Sequence, residues 1–484
     1  MNLAELDIQA LAAAVASGDV EPGASLDECL EKTRRLNTAM NAIVATTEDR
    51  YQQAVERIEH HENRSELSLA GVPFVVSESV ALAGAPHTSG SQYRQGEFAN
   101  ADASAVRRLV EAGALPIGVS NTSEIGFWIE TSNTVYGRTS SPYSNRHISG
   151  GGLGGAAAAV ATGCARFGLG VDMVGSARLA AQACGVASLK PTGGLVPLTG
   201  FEPFPRGRMR RFAVMSLVAR HARELEPLLR VVAGPDGTDG AAVQFEPPEV
   251  SSYDLLWKHV LVCEDMNLQG VKASKEVKAA VRNAAEILGE RGAEVEDWRP
   301  RQFEEAFLIW LAMVHEGYGF MHAFQDAITC GEDASWMKDI LRVPFGRSAH
   351  TAPILAMGLM EKVTRASFLR TQRMAAEGRR LQERLKIVLQ NGGILLLPAY
   401  PTSTPKHGRS LRRFQRISYA SIINALELPS VTVPIAMDSD GLPIAVQVIA
   451  NRGREDACIA AASALQDSIR PLPAPSERKI IRSS

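Results

Sequence analysis

Cysteine is scarce in this chain: six among 484 residues (Cys29, Cys164, Cys184, Cys263, Cys330 and Cys458), with no Cys-x-x-Cys pair and no metal-like clustering. That scatter argues against a disulfide framework and against a zinc site, so reduced thiols, a cytoplasmic setting and no metal or cofactor are expected. An excess of charge of either sign is also missing. Lys and Arg number 51 against 53 Asp and Glu, a net charge of −2, which gives no electrostatic reason to expect nucleic acid. The opening stretch MNLAELDIQALAAAVASGDV has neither a positively charged n-region nor a long apolar run, so no secretory signal and no membrane span are expected there. Internal repeats and low-complexity tracts are absent as well.

What remains is 45% hydrophobic and 21% charged, enough for a large buried core. Leu3, Leu6, Ile8, Leu11 and Val15 recur at helical spacing, and Gly18-Asp19 suits the end of that helix. Further helices are expected over Ser25 to Leu36, Asp49 to His61, Ala156 to Thr162, Ala273 to Arg291 and Ser367 to Leu389. Short apolar runs at Val72–Val76, Pro116–Val119, Val260–Val262, Ile394–Leu397, Val431–Val433 and Ile444–Val448 have the look of buried strands. The tail from Pro471 on, rich in proline and charge, is expected to be loosely ordered.

Glycine-rich punctuation orders several blocks. They are GVPFVVSESVALAG from Gly71, DASAVRRLVEAGALPIGVSNTSE from Asp102, and YGRTSSPYSNRHISGGGLGGAAAAVATG from Tyr136. The run Gly168 to Arg178, LKPTGGLVP from Leu189, LLLPAYPTSTPKHG from Leu395, and the closing Asn424 to Ala450 segment follow. Together these blocks resemble the amidase signature family over nearly the whole chain, with wording around Trp128, Tyr136, Gly137 and Arg138 that leans to the fatty-acid-amide-hydrolase-like branch. The resemblance implies one α/β domain over 1–484, a twisted mixed sheet covered by helices on both faces. Within it, 1–66 would be N-terminal helices, 67–200 the signature core, 201–414 the variable region for substrate or partner, and 415–470 a C-terminal core segment.

By the same resemblance, an ordinary member uses a lysine, a serine in a cis peptide and a nucleophilic serine. The division of labour is physical. A serine hydroxyl attacks poorly until a nearby base takes its proton, and lysine can be that base only where burial lowers its pKa. Ser176 stands at the nucleophile position, but Val-Lys-Asp reads Val76-Ser77-Glu78, which puts a hydroxyl in place of the amine. Gly-Gly-Ser-Ser-Gly-Gly reads Gly150-Gly151-Gly152-Leu153-Gly154-Gly155, so Gly152 has no side chain to relay a proton. Ser149 lies upstream, across the glycine turn. The backbone donors Met173, Val174, Gly175 and Ser176 would form the oxyanion hole, although Val174 replaces a glycine and would be strained at positive φ. Asp172 and Arg178 are expected to brace that loop by charge-assisted hydrogen bonds. Ser176 could equally serve only as a helix cap.

In a related serine enzyme, losing one essential triad member cost about six decades in turnover, so ordinary hydrolysis is not expected. Candidate substitute bases are Glu78, which should face away from Ser77 on a strand, Lys190, and His87, His147 and His407. The expected protein therefore binds a small acyl- or amide-bearing ligand in the old pocket; the alternatives are a weak hydrolase using Ser176 with another base, and a non-catalytic partner subunit. Two arginine clusters, Pro205 to Phe212 and Arg409 to Arg416, stand out. Arg409, Arg412, Arg413 and Arg416 would share one face of a helix. A solvated face is the default reading, and an acyl carrier protein or other acidic partner is the alternative. The apolar stretches Ala306 to Val314 and Ala352 to Met360 read as core helices. A homodimer is implied by analogy alone.

Overall fold

The computed structural model describes residues 2–244, 246, 248–256, 258–317, 327–328, 337–366 and 368–481; Cys330 lies outside them. Three helices come first: α1 (Ile8–Ser17), α2 (Ala24–Met40) and α3 (Glu48–Glu59). Asp7 caps α1 by accepting from the Ala10 N–H, and Gly18 closes it in the left-handed region at φ 83°, as its sequence position suggests.

Among the described residues one mixed sheet of eleven strands organises the chain. Its strands are β1 (Ile43–Thr46), β2 (Pro73–Ser77), β3 (Leu115–Ser120), β8 (Phe167–Asp172), β9 (Ala187–Lys190), β10 (Val214–Ala219), β11 (His259–Val262), β12 (Glu294–Asp297), β13 (Ile394–Pro398), β14 (Ser430–Met437) and β15 (Pro443–Ala450). Two short hairpins, β4 (Ser132–Asn133) with β5 (Gly137–Arg138) and β6 (Ser140–Ser141) with β7 (Ser144–Ile148), stand apart from it. The spatial order is β1-β3-β2-β8-β10-β9-β14-β15-β13-β11-β12. β2 runs parallel to both β3 and β8, and β11 is parallel to β12 and β13, while the centre is antiparallel.

Every residue of β2, β3, β8, β9, β10, β13 and β15 is buried. Successive side chains point to opposite faces of a strand, so both faces of the sheet are covered, as the long apolar runs imply. Helix α4 (Ser104–Glu111) precedes β3, and α5 (Gly154–Ala161), made of glycine, alanine and valine, packs closely behind β8 and β2. α6 (Ser176–Cys184) lies along β9, β14 and β15. Helices Lys275–Glu290 and Glu455–Ser468 complete the cover, and Phe368–Val388 packs on the helix Ala306–Gly317. Among the described residues no helix is long and apolar enough to cross a membrane.

The arginine-rich segment departs from expectation. Ser410–Ile417 is a 3₁₀ helix broken at Arg413 (φ −137°), not an α-helix. Arg409, Arg412, Arg413 and Arg416 therefore do not form one α-helical face, and Arg416 turns to donate to Thr402 Oγ1 at 3.3 Å. The other cluster is largely used within the fold. Arg208 and Arg211 reach Glu427 at 3.4 and 3.8 Å, and Arg210 lies 3.9 Å from Asp239.

Candidate active site

The end of β8 and the start of α6 carry the Ser176 loop. Gly175 precedes the helix at φ 97°, and a Cβ there would fall 2.3 Å from Ala420 Cβ. Both its conformation and its contact therefore require glycine. Val174 is not among the residues at positive φ, so the valine is accommodated without the strain anticipated for it. The N–H of Gly175 is taken by Asp172 Oδ1 at 2.7 Å. Among the described residues the N–H groups of Met173, Val174 and Ser176 have no hydrogen-bond acceptor.

Asp172 and Arg178, both fully buried, hold this loop. Arg178 donates from Nε and Nη2 to the two carboxylate oxygens at 3.1 Å each, and from Nη1 to Ala420 O at 2.6 Å. Asp172 also accepts from the Ala177 N–H and from Asn424 Nδ2. Burial works against the carboxylate, and the Arg178 guanidinium, the Asn424 hydrogen bond and the Lys190 charge together more than offset it, leaving its pKa below the usual carboxylate value. Asn424 and Gln447 complete the arginine's partners; an amide at the end of an apolar helix, as Asn424 is, or inside a buried strand, as Gln447 is, carries no local signal in the sequence.

Ser176 is fully buried, and its hydroxyl donates to Val171 O at 3.0 Å. The neighbouring glycine loop brings Gly152 alongside. A Cβ built on Gly152 would stand 3.5 Å from Ser176 Oγ, 3.1 Å from Val171 O and 3.7 Å from Thr122 Oγ1. Gly151–Leu153 forms a 3₁₀ turn, and the cis peptide among the described residues is Glu202–Pro203, away from this loop. Gly150, at φ 107°, lies where a Cβ would meet Ala180 Cα at 2.3 Å, so the loop closes directly onto α6.

Ser77 sits on β2 beside Gly170 of the adjacent strand. Its hydroxyl donates to Gly152 O at 2.9 Å and contacts Ser79 Oγ at 3.1 Å. Thr122 Oγ1 donates to the same carbonyl at 3.3 Å. Above Gly170, a missing Cβ would meet Ser77 Cβ at 2.8 Å and Leu153 Cγ at 2.9 Å. Leu153 is fully buried there, so its side chain occupies room that a longer residue at position 77 would need.

None of the alternative bases bonds to Ser176. Ser149 Oγ lies 3.0 Å from Thr131 Oγ1 and 3.2 Å from Thr139 O. His87 meets Ser79 O, His147 meets Ser144 Oγ, and His407 meets Ser140 Oγ; burial lowers the pKa of each, that of His407 to about 4. Lys190, also pushed down by burial, to about 7, donates to Pro191 O.

Glu78 points the other way from Ser77, accepting from Tyr136 Oη at 3.0 Å and from the Thr88 and Gly90 N–H groups. Burial pushes its pKa up to about 7 despite those hydrogen bonds. The folded protein thus holds this proton more tightly than the unfolded chain, whose glutamate titrates near 4.5. The resulting stability is fully present below the unfolded value and is lost as pH rises through the folded one. Between about pH 5 and pH 8 the wild type should lose roughly 2 to 3 kcal/mol relative to Glu78→Gln. Denaturant midpoints of the two proteins at both pH values measure this, and parallel pH profiles would contradict it.

An amidase family profile matches residues 24–459. The chain belongs to the amidase family. Over 407 residues it is 31% identical to "Fatty-acid amide hydrolase 2" of Homo sapiens, covering 82% of this chain and 74% of that protein. It is 27% identical to an "Acylamidase" of Rhodococcus erythropolis, covering 97% and 96%. Among solved structures it superimposes on 6-aminohexanoate cyclic dimer hydrolase complexed with substrate at a TM-score of 0.79. That pair is 24% identical and covers 99% of this chain and 100% of that one, a likeness of fold. A structure titled as a vestigial protein complex bearing on the origins of an s-triazine catabolic enzyme matches at TM-score 0.80 and 26% identity, covering 97% and 100%.

Proposed function

We propose that this amidase-family protein binds a small acyl- or amide-bearing ligand at the Ser176 loop and does not hydrolyse it by the serine, cis-serine and lysine relay. One observation carries the reading: Ser176 Oγ donates to a backbone carbonyl, Val171 O, and the two flanking positions offer a hydroxyl at Ser77 and a hydrogen at Gly152. An alcohol in that setting has no partner able to accept its proton. The binding half is supported by the N–H groups of Met173, Val174 and Ser176, which have no acceptor among the described residues and cluster at the positive end of α6. Such donors suit a carbonyl or other electron-rich oxygen.

Labelling with a fluorophosphonate tests the reading. Ser176 should react no faster than an ordinary serine, while an acyl or amide ligand should still bind, as read by calorimetry. Rapid stoichiometric modification of Ser176 would mean an activated nucleophile and would overturn it.

A further inference from the structure

The fold brings two arginines of the Pro205 to Phe212 cluster, Arg208 and Arg211, to the same place as a third from far along the chain, Arg452. Their meeting point is one carboxylate. Arg208 Nη2 lies 3.4 Å from Glu427 Oε1, Arg211 Nη1 lies 3.8 Å from Glu427 Oε2, and Arg452 Nη1 donates to that second oxygen. Guanidinium stays protonated throughout the physiological range. Three positive charges therefore face one negative charge, and the cluster keeps an excess of two.

Three separate segments build the cluster and hold it in place. Glu427 follows the helix Ser418–Ala425, its N–H donates to Asn424 O at 2.9 Å, and its side chain is 3% exposed. Arg211 belongs to the short helix Met209–Phe212, whose Phe212 O accepts from Asn424 Nδ2 at 3.0 Å. Gly193 fixes the third segment against the second: a Cβ there would fall 2.2 Å from Arg211 O, and Gly193 O accepts from Arg452 Nη2 at 3.4 Å. The arginine ends stay open to water. Their side chains are 47%, 45% and 34% exposed for Arg208, Arg211 and Arg452, while the carboxylate that gathers them is buried.

Neighbouring arginines are paired differently. Arg210 lies 3.9 Å from Asp239 and over the Phe204 ring, and Arg454 donates from Nε and Nη2 to the two oxygens of Asp456. Each of those has a carboxylate of its own. Among the described residues, Arg208, Arg211 and Arg452 have no acidic partner except Glu427.

We propose that Arg208, Arg211 and Arg452 form a binding site for a compact dianion, a phosphate or phosphate monoester group, which bridges the guanidiniums that Glu427 holds together. The chemistry selects that class. Guanidinium forks match phosphate oxygens, and a tetrahedral dianion offers several acceptors at once to forks that converge on a single point. Its two charges equal the excess. A monoanion leaves the cluster positive, and an acidic polypeptide spreads its charges along a chain. The inference is independent of whether Ser176 is activated.

Inorganic phosphate is the probe, titrated calorimetrically into the full chain at constant ionic strength and about pH 8, where the dianion predominates. Ethyl phosphate, acetate and hexaglutamate are titrated in parallel. The expected result is saturable one-to-one binding of phosphate, weakened at least about tenfold by each of Arg208→Met, Arg211→Met and Arg452→Met. Arg282→Met, which removes a guanidinium already paired with Glu264 and Asp297, should leave it unchanged. Phosphate should also raise the melting temperature of wild type and not of the three variants, a readout that shows in addition whether each variant folds. Where a methionine variant does not fold, the lysine variant at that position keeps the charge, loses the fork and should still weaken binding. Equal weakening by Arg282→Met would reduce the effect to net charge and overturn the site, as would unsaturable binding or full affinity in all three variants. Acetate binding as tightly as phosphate would refute the ligand class. Hexaglutamate binding more tightly than either phosphate, with the same variant pattern, would make the surface a dock for an acidic protein and overturn it too. Ethyl phosphate matching inorganic phosphate would identify an esterified ligand, and much tighter inorganic phosphate the free ion; both uphold the site. Fluorophosphonate labelling of Ser176 decides the proposed function separately.

Discussion

Replacing Ser77 by Lys, Gly152 by Ser and Leu153 by Ser together should raise hydrolysis of a simple fatty amide by at least about a thousandfold over wild type. The size follows from the cost of dismantling such a relay, about six decades in a comparable serine enzyme, discounted for imperfect reconstruction. Geometry favours the rebuild at Gly152. A side chain there begins 3.5 Å from Ser176 Oγ, within reach of a bridging hydroxyl, although Val171 O at 3.1 Å must give slightly. The new serine would compete for the carbonyl that Ser176 now bonds.

The combination matters more than any single change. Lysine at 77 would enter the volume above Gly170 that Leu153 fills, so Ser77→Lys alone should overpack the site and destabilise the protein by about 1–3 kcal/mol. Leu153→Ser should relieve that strain, a coupling visible in a double-mutant cycle of denaturant midpoints. A lysine buried there would titrate well below its usual value, so activity of the triple variant should rise with pH as it deprotonates. A triple variant that folds and remains inactive while wild type turns over the amide would sink the account of what these positions do.

How much of this was legible depends on what each residue had to offer locally. Strands β2, β3, β13, β14 and β15 announce themselves as continuous apolar runs because the sheet buries both of their faces. β8 does not. Gly168 and Gly170 break its pattern, and their reason is tertiary: a Cβ on Gly168 would fall 2.7 Å from Ala156 Cβ of α5, and one on Gly170 would meet Ser77 and Leu153. β12 is exposed along its length at the sheet edge, so no core-facing alternation marks it. The altered positions of the site, Ser77, Gly152 and Leu153, were readable because a motif sets them at fixed places. The consequence that Leu153 and Ser77 share one space above Gly170 was not, since that requires β2, β8 and the glycine turn in three dimensions. Arginine spacing misled for the opposite reason. The spacing suited an α-helix, but Ser410 and Trp128 are tied to each other, and Ser410 and Gly408 to Glu130, contacts that accompany a 3₁₀ path. Glu427 left no trace, as a lone glutamate gains meaning only through the arginines folded onto it.

Arg178→Met should be the most damaging single substitution in the loop, lowering stability by about 3–5 kcal/mol. The change is close to volume-conserving, so the loss would come chiefly from electrostatics. It strands a fully buried Asp172 carboxylate and removes donors from Ala420 O and Gln447 Oε1 as well. Such a loss is a large share of the roughly 5–15 kcal/mol that holds a domain together. Asp172→Asn tests the cause. Removing the charge first should make the later loss of the arginine cost less, so the double variant should be more stable than the sum of the two singles allows. The acid limb gives an independent reading. Because the guanidinium, with Asn424 and Lys190, holds the folded pKa of Asp172 below its unfolded value of 3.8, the stabilisation is present above that value and is lost as pH falls through the folded one. Arg178→Met should therefore flatten the stability profile on its acid side. Strict additivity of the two substitutions, with an unchanged acid limb, would show that the pair fills space at the base of the Ser176 loop and does not hold it by charge.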